Sequence, residues 1–120
     1  MIAFLDGILA GKGSNEAYID VGGVGYLACM SASSISKLPD IEDAVRILTY
    51  MNVTDSGITL YGFLEQLEMD IFKAMISVSG IGPKLALAAL STFSPEDLIE
   101  AIVLQDVKTL SHIPGVGKKS

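Results

Sequence analysis

Two short stretches of this 120-residue chain combine glycines and lysines in an order suited to holding a phosphate group. Gly80-Ile81-Gly82-Pro83-Lys84 and Gly115-Val116-Gly117-Lys118-Lys119 each run glycine, apolar residue, glycine, and then basic residue at once or after one proline. Glycines on either side of one apolar residue let the chain reverse tightly while the central side chain anchors in a core. With no side chains in the way, backbone N–H groups at the turn and at the start of the following helix can approach a phosphate oxygen, where the helix dipole also favours negative charge. The lysines add point charges. Such contacts read a nucleic-acid backbone and not its bases, so the pattern predicts binding that ignores sequence and weakens with salt.

The two stretches are copies of one unit. Gly80 to Gly115 and Gly82 to Gly117 share one offset, and the same offset relates Phe72, Met75 and Val78 to Val107, Leu110 and Ile113, so each glycine turn follows a helix with equivalent apolar positions. The alternative for either copy alone is that Gly-x-Gly ends one helix and starts another. Duplication together with the basic residues favours a repeated helix-hairpin-helix. Neither copy follows a strand or carries the third glycine of a dinucleotide fingerprint, and the spacing of a P-loop is absent.

Other chemistry finds little support. There is no cluster of His, Cys and Asp with metal-ligand spacing, and His112, the sole histidine, lies just before the second turn, where packing or capping is its default role. Catalysis by a glycosylase or nuclease built on such hairpins lacks its catalytic groups, so the expectation is a binding protein and not an enzyme, with no cofactor. A single cysteine, Cys29, excludes an internal disulfide and reads as a buried core thiol.

The elements that must position these turns change character midway. Apolar or alternating runs at Ile2–Leu9, Ala17–Val21, Val24–Met30, Ala44–Val53 and Ile58–Phe63 predict five strands, with Gly22-Gly23 as a two-residue hairpin turn. Ser34, Ile35, Leu38 and Pro39 suit a short helical turn between the third and fourth. Five strands with such an insertion fit a Greek-key barrel of the OB type. Tyr50, Tyr61 and Phe63 could stack on bases, although core is their commoner role in an alternating strand.

From Glu65 the period becomes helical, with Leu67, Ile71, Phe72, Met75 and Val78 recurring, and Ser94-Pro95-Glu96-Asp97 signals a capped helix start. Asp106 can cap a further helix. The fold class expected is therefore α+β: a five-stranded barrel domain over residues 1–63, then an all-α domain with two helix-hairpin-helix motifs over residues 64–120.

Half of the residues are hydrophobic, enough for one modest core or two small ones. No apolar run is long enough to span a membrane, and no secretory pattern follows Met1, which predicts a cytoplasmic protein. The formal charge of −6 argues on its face against nucleic acid. Its distribution softens the objection, because Lys84, Lys118 and Lys119, three of the five lysines after residue 63, all sit at the glycine turns. Mean hydropathy of +0.51 suggests apolar surface that self-association would cover. A protein-binding OB module also fits the acidic barrel, but gives the lysine-bearing repeat no purpose.

Ser79 to Leu90 and Ile113 to Lys119 resemble the paired helix-hairpin-helix elements of the RuvA family. Met1-Ile2, Asp20-Val21-Gly22-Gly23-Val24-Gly25-Tyr26 and Leu60-Tyr61-Gly62-Phe63 are similar to that family's N-terminal barrel, in the same order. The resemblance implies a homotetramer, or an octamer of two such rings, that holds a four-way Holliday junction open for branch migration. It also implies a RuvB ATPase partner that supplies the energy and a RuvC resolvase. Carried over by position, Gly80, Gly82 and Lys84 form one DNA grip, and Gly115, Gly117, Lys118 and Lys119 the other. The family's acidic pin falls at Asp55, where Ser56 replaces a second acid. The chain ends at Ser120, so the helix after the second hairpin and the C-terminal domain that meets RuvB are expected to be missing. The alternative is a general helix-hairpin-helix DNA-binding module without junction preference.

Overall fold

A computed structural model describes residues 1–78 and 80–104, with side chains to Glu100. The elements run β1 (Phe4–Lys12), β2 (Glu16–Val21), β3 (Val24–Cys29), α1 (Ala32–Ser36), β4 (Ala44–Thr54), β5 (Gly57–Phe63), α2 (Gln66–Ile76), α3 (Pro83–Thr92) and α4 (Pro95–Leu104). They divide into two compact units, Met1–Met69 and Asp70–Ser120.

The five strands close into a barrel in the order β1-β2-β3-β5-β4, with β4 returning to β1. All pairings are antiparallel except β3 with β5, which run parallel through Ala28–Leu60 and Cys29–Tyr61. Closure follows from the alternation expected of strands: Leu5, Leu9, Ala17, Ile19, Ala28, Val45, Ile47 and Leu60 point inward into one apolar cluster that Ile35 and Leu38 also join. Burying each larger aliphatic side chain contributes about 1.5–3 kcal/mol against the entropy of ordering the strands.

Local chemistry sets the corners. Gly22 and Gly23 both take positive φ, +60° and +94°, as a two-residue turn between β2 and β3 requires, and the Asp20 carboxylate accepts the Gly23 N–H at 2.8 Å. Gly62 is needed for space: a methyl there would meet Ile47 Cδ1 at 2.9 Å and Met30 Cγ at 3.0 Å.

Ser31 caps α1 by accepting the Ser34 N–H at 3.1 Å. Both serines are buried, and both hydroxyls donate to Glu68 Oε2, at 3.1 and 2.6 Å, while Glu68 Oε1 accepts the Leu64 N–H at 3.2 Å. One carboxylate thus ties the insertion between β3 and β4 to the first turn of α2, and residues 64–69 group with the barrel.

Two expectations need correction. Cys29 is half-buried, not enclosed, because it stands at the end of β3, opposite Glu16 on one side and Tyr61 on the other. Leu67, placed on the apolar stripe of α2, is exposed, whereas Met69 beside it is buried; the stripe starts later, with Ile71, Phe72 and Met75. In the second unit the buried side chains also include Ile81, Ala86, Leu87, Ala89, Leu90 and Leu98. Helix α4 begins as its sequence signal indicates: Ser94 Oγ accepts the Asp97 N–H at 3.2 Å, and Glu96 and Asp97 fill the first turn.

Candidate nucleic-acid interface

The first glycine turn joins α2 to α3. After α2 ends at Ile76, the Ile81 N–H donates to the Val78 carbonyl at 3.1 Å, closing a tight turn. Gly80 takes φ +89°, where an L side chain is strained by about 1–2 kcal/mol, so this position calls for glycine on conformational grounds. Ile81, the apolar residue between the two glycines, is 5% exposed, so the turn buries its central side chain. Gly82 differs from Gly80, because its φ of −91° and ψ of 175° are open to any residue.

What Gly82 provides is room. A Cβ added there, or at Gly80, would meet nothing within 4 Å, so the outer surface of the turn is bare backbone. Gly82 is also the N-cap of α3 and carries no side chain to cap it, while the first helical residue, Pro83, has no N–H to satisfy. The helix's own bonds start with the Ala86 N–H, which donates to the Gly82 carbonyl at 3.0 Å. The N–H groups of Lys84 and Leu85 therefore stand in the first turn without an acceptor among the described residues, at the positive end of the helix dipole. Lys84 is exposed beside them. Bare backbone, two open donors and an ammonium group together suit one phosphate oxygen cluster.

The second predicted turn, with Gly115, Gly117, Lys118 and Lys119, lies outside the described residues, as do Asp106 and His112. The remaining candidate, Asp55, sits in the two-residue turn between β4 and β5, exposed and far along the chain from the glycine turn. Thr54 Oγ1 lies 3.1 Å from Ser56 Oγ and donates to the Gly57 carbonyl at 3.3 Å, bracing the turn, and the Asp55 carboxylate has no hydrogen-bond partner among the described residues.

Of the aromatic candidates, Tyr61 and Phe63 are buried and Tyr50 is half-buried, which assigns the first two to the core. Burial, and secondarily the neighbouring Cys29, raises the Tyr61 hydroxyl above its ordinary pKa of 10.0. Among the described residues no cluster of His, Cys, Asp and Glu is placed to hold a metal ion, and no helix is long and apolar enough to cross a membrane. The Ser31–Ser34–Glu68 network escaped the sequence reading. Its only signal is an acid in the first turn of α2, a position from which it can reach back to the preceding backbone.

Comparison with known proteins separates the chain into the same two parts. A profile described as the RuvA N terminal domain matches residues 1–62, and one described as a SAM-like helix-hairpin-helix tandem matches residues 72–120, which include both glycine–lysine stretches of the sequence. The Holliday junction branch migration complex subunit RuvA of Symbiobacterium thermophilum is 43% identical over 120 residues, all of this chain and 58% of that protein. The protein of the same name from Solibacter usitatus is 44% identical over 120 residues and is covered to 61% of its length, and that from Laribacter hongkongensis is 40% identical and covered to 59%. The chain thus spans about three-fifths of the length of these curated relatives.

Proposed function

This chain belongs to the RuvA family, and from that premise we propose that it binds four-way DNA junctions by their shape, holding the arms through phosphate contacts and catalysing no reaction itself. The observation that carries the reading is the turn at Gly80–Lys84, where bare backbone, open first-turn N–H groups and a lysine converge. Gly80, Gly82 and Lys84 would grip one phosphate stretch, and the repeat assigns the same task to Gly115, Gly117, Lys118 and Lys119.

Asp55 is the acidic pin of this proposal. A carboxylate on the tip of an exposed turn repels phosphates, so it disfavours an intact duplex at the centre of the complex and favours separated strands there. In this division of labour the barrel domain, residues 1–63, supplies the pin and the tandem helix-hairpin-helix domain, residues 64–120, supplies the grips.

A four-armed ligand calls for several copies of such a grip, and the barrel offers apolar surface for assembling them. Tyr18 and Leu27 stand opposite each other on β2 and β3, both exposed, with Ile8 exposed on neighbouring β1. A homotetramer, or an octamer of two tetramers, is the assembly proposed. Motion of DNA through it would draw on the RuvB ATPase, with RuvC as the enzyme that cuts the junction; both are partners proposed on the strength of the family.

A gel-shift titration of a synthetic four-way junction against a linear duplex of the same sequence, at low and moderate salt, tests the reading. Junction preference that weakens with salt is the expected result. Equal affinity for both would reduce the function to general helix-hairpin-helix DNA binding, and no shift at low salt would refute both.

A further inference from the structure

The β4–β5 hairpin runs on past the wall of the barrel. Strand β1 covers β4 only from Ala44 to Leu48, and β3 covers β5 only at Leu60 and Tyr61. Beyond these, the pairs Asn52–Thr59, Val53–Ile58 and Thr54–Gly57 have ladder partners, among the described residues, only in each other, so the end of the hairpin is a two-stranded ribbon. The period of two that points Ile47, Thr49 and Met51 inward on β4, and Leu60 and Gly62 inward on β5, puts Val53 and Ile58 on the continuation of the same face. Within the barrel that face is core. On the ribbon it is bare: Val53 is 63% and Ile58 66% exposed, more than any other large hydrophobic of the described residues except Met1.

Directly opposed residues of an antiparallel pair share a face, so the two side chains form one aliphatic ridge immediately behind the Asp55 turn. The charge on the ribbon narrows what can cover it. From Asn52 to Thr59 the only charged residue is Asp55, which repels phosphates within roughly a Debye length. The part of DNA that carries no charge and offers flat apolar area is the face of a base, and aliphatic side chains are known wedges between base steps.

We propose that Val53 and Ile58 form an aliphatic wedge that packs against the faces of unstacked bases next to the acidic turn, so that strand separation at the pin is stabilised by contact as well as by repulsion. The proposal rests on the junction-binding reading. Asp55 keeps backbones away; the ridge holds the bases that are left exposed. Ser56, uncharged where the family resemblance leads one to expect a second acid, makes the ridge the larger feature of this tip.

The test uses the full chain and a four-way junction carrying a fluorescent adenine analogue beside the crossover, whose emission rises when it unstacks. The unsubstituted chain should shift the junction and raise the emission. Val53→Ser with Ile58→Thr should still bind within about threefold, because the phosphate grips are untouched, yet lose most of the rise. Val53→Ile with Ile58→Val, which keeps the ridge, should restore it. An equal rise in the polar double variant overturns the wedge, as does a fall in assembly mass by light scattering, which would show that the ridge covers a second copy instead. If the unsubstituted chain fails to shift the junction, the junction reading itself has failed before any substitution is made.

Discussion

Replacing Gly82 with aspartate should move fold stability and DNA affinity in opposite directions. The backbone at Gly82 already has the extended geometry of an N-cap, nothing occupies the space a Cβ would enter, and no side chain now caps α3. An aspartate there can accept the Leu85 N–H and oppose the positive end of the helix dipole. The gain over glycine is a few tenths of a kcal/mol from the cap and about 0.3–1 kcal/mol from the dipole. A rise in thermal midpoint of about 2–5 °C is expected.

The same carboxylate would stand where the proposed phosphate sits. At a separation of about 5 Å the repulsion is about 0.8 kcal/mol with a water-like dielectric and about 3 kcal/mol with an effective value of 20. Affinity for a four-way junction should therefore fall by a factor between about 4 and a few hundred. Differential scanning fluorimetry and a gel-shift titration on one preparation measure both signs. Gly80→Ala is the control with the opposite logic: it meets no atom, but at φ +89° it should cost about 1–2 kcal/mol of stability. A Gly82→Asp protein that binds junctions as tightly as the parent would refute the assignment of this turn to phosphate.

Lys84→Ala should weaken junction and duplex binding alike and lower the slope of log affinity against log salt by about one for each subunit engaged, which a salt titration reads directly. Asp55→Lys should raise affinity for plain duplex toward that for a junction; unchanged discrimination would remove the pin from the mechanism. Glu68→Ala strands the buried hydroxyls of Ser31 and Ser34 and the Leu64 N–H, and should cost about 2–4 kcal/mol in urea unfolding, and Glu68→Gln, whose amide keeps only one of the two acceptor oxygens, should recover only part of that loss. Because the folded protein holds the Tyr61 proton more tightly than the unfolded chain does, the contribution of this group to stability should be constant below about pH 10 and be lost as pH rises through the raised value. Thermal melts of Tyr61→Phe should lack that part of the alkaline decline.

Features written in local chemistry were legible in the sequence. Alternation placed all five strands to within a few residues, the paired glycines at 22 and 23 adopt the turn their type demands, and Ser94 caps α4 through the bond its position forecasts. The distinct roles of Gly80 and Gly82 were not legible, since one letter serves for both left-handed backbone and empty space, and only dihedral angles separate them. Nor was the exposure of Leu67 or the half-burial of Cys29, which depend on where an element ends and not on what it contains. The link between Glu68 and two serines more than thirty residues earlier was hidden for the same reason that long-range pairing is hidden: no local period encodes it.

The parallel seam between β3 and β5 is the shortest in the barrel, held by Ala28–Leu60 and Cys29–Tyr61, while every other pair of neighbours shares a longer ladder. A closed wall breathes where its stitching is thinnest, so transient opening should begin there and leave the hairpins on either side intact. Cys29 lies within that seam, and a half-buried thiol in such a place is a natural gauge: the rate at which it reacts with a labelling reagent reports how often the wall parts. The Asp55 turn leads directly into β5, the strand that also carries Leu60 and Phe63 in the core, so the frequency of that opening also limits how firmly the tip of the hairpin can be held.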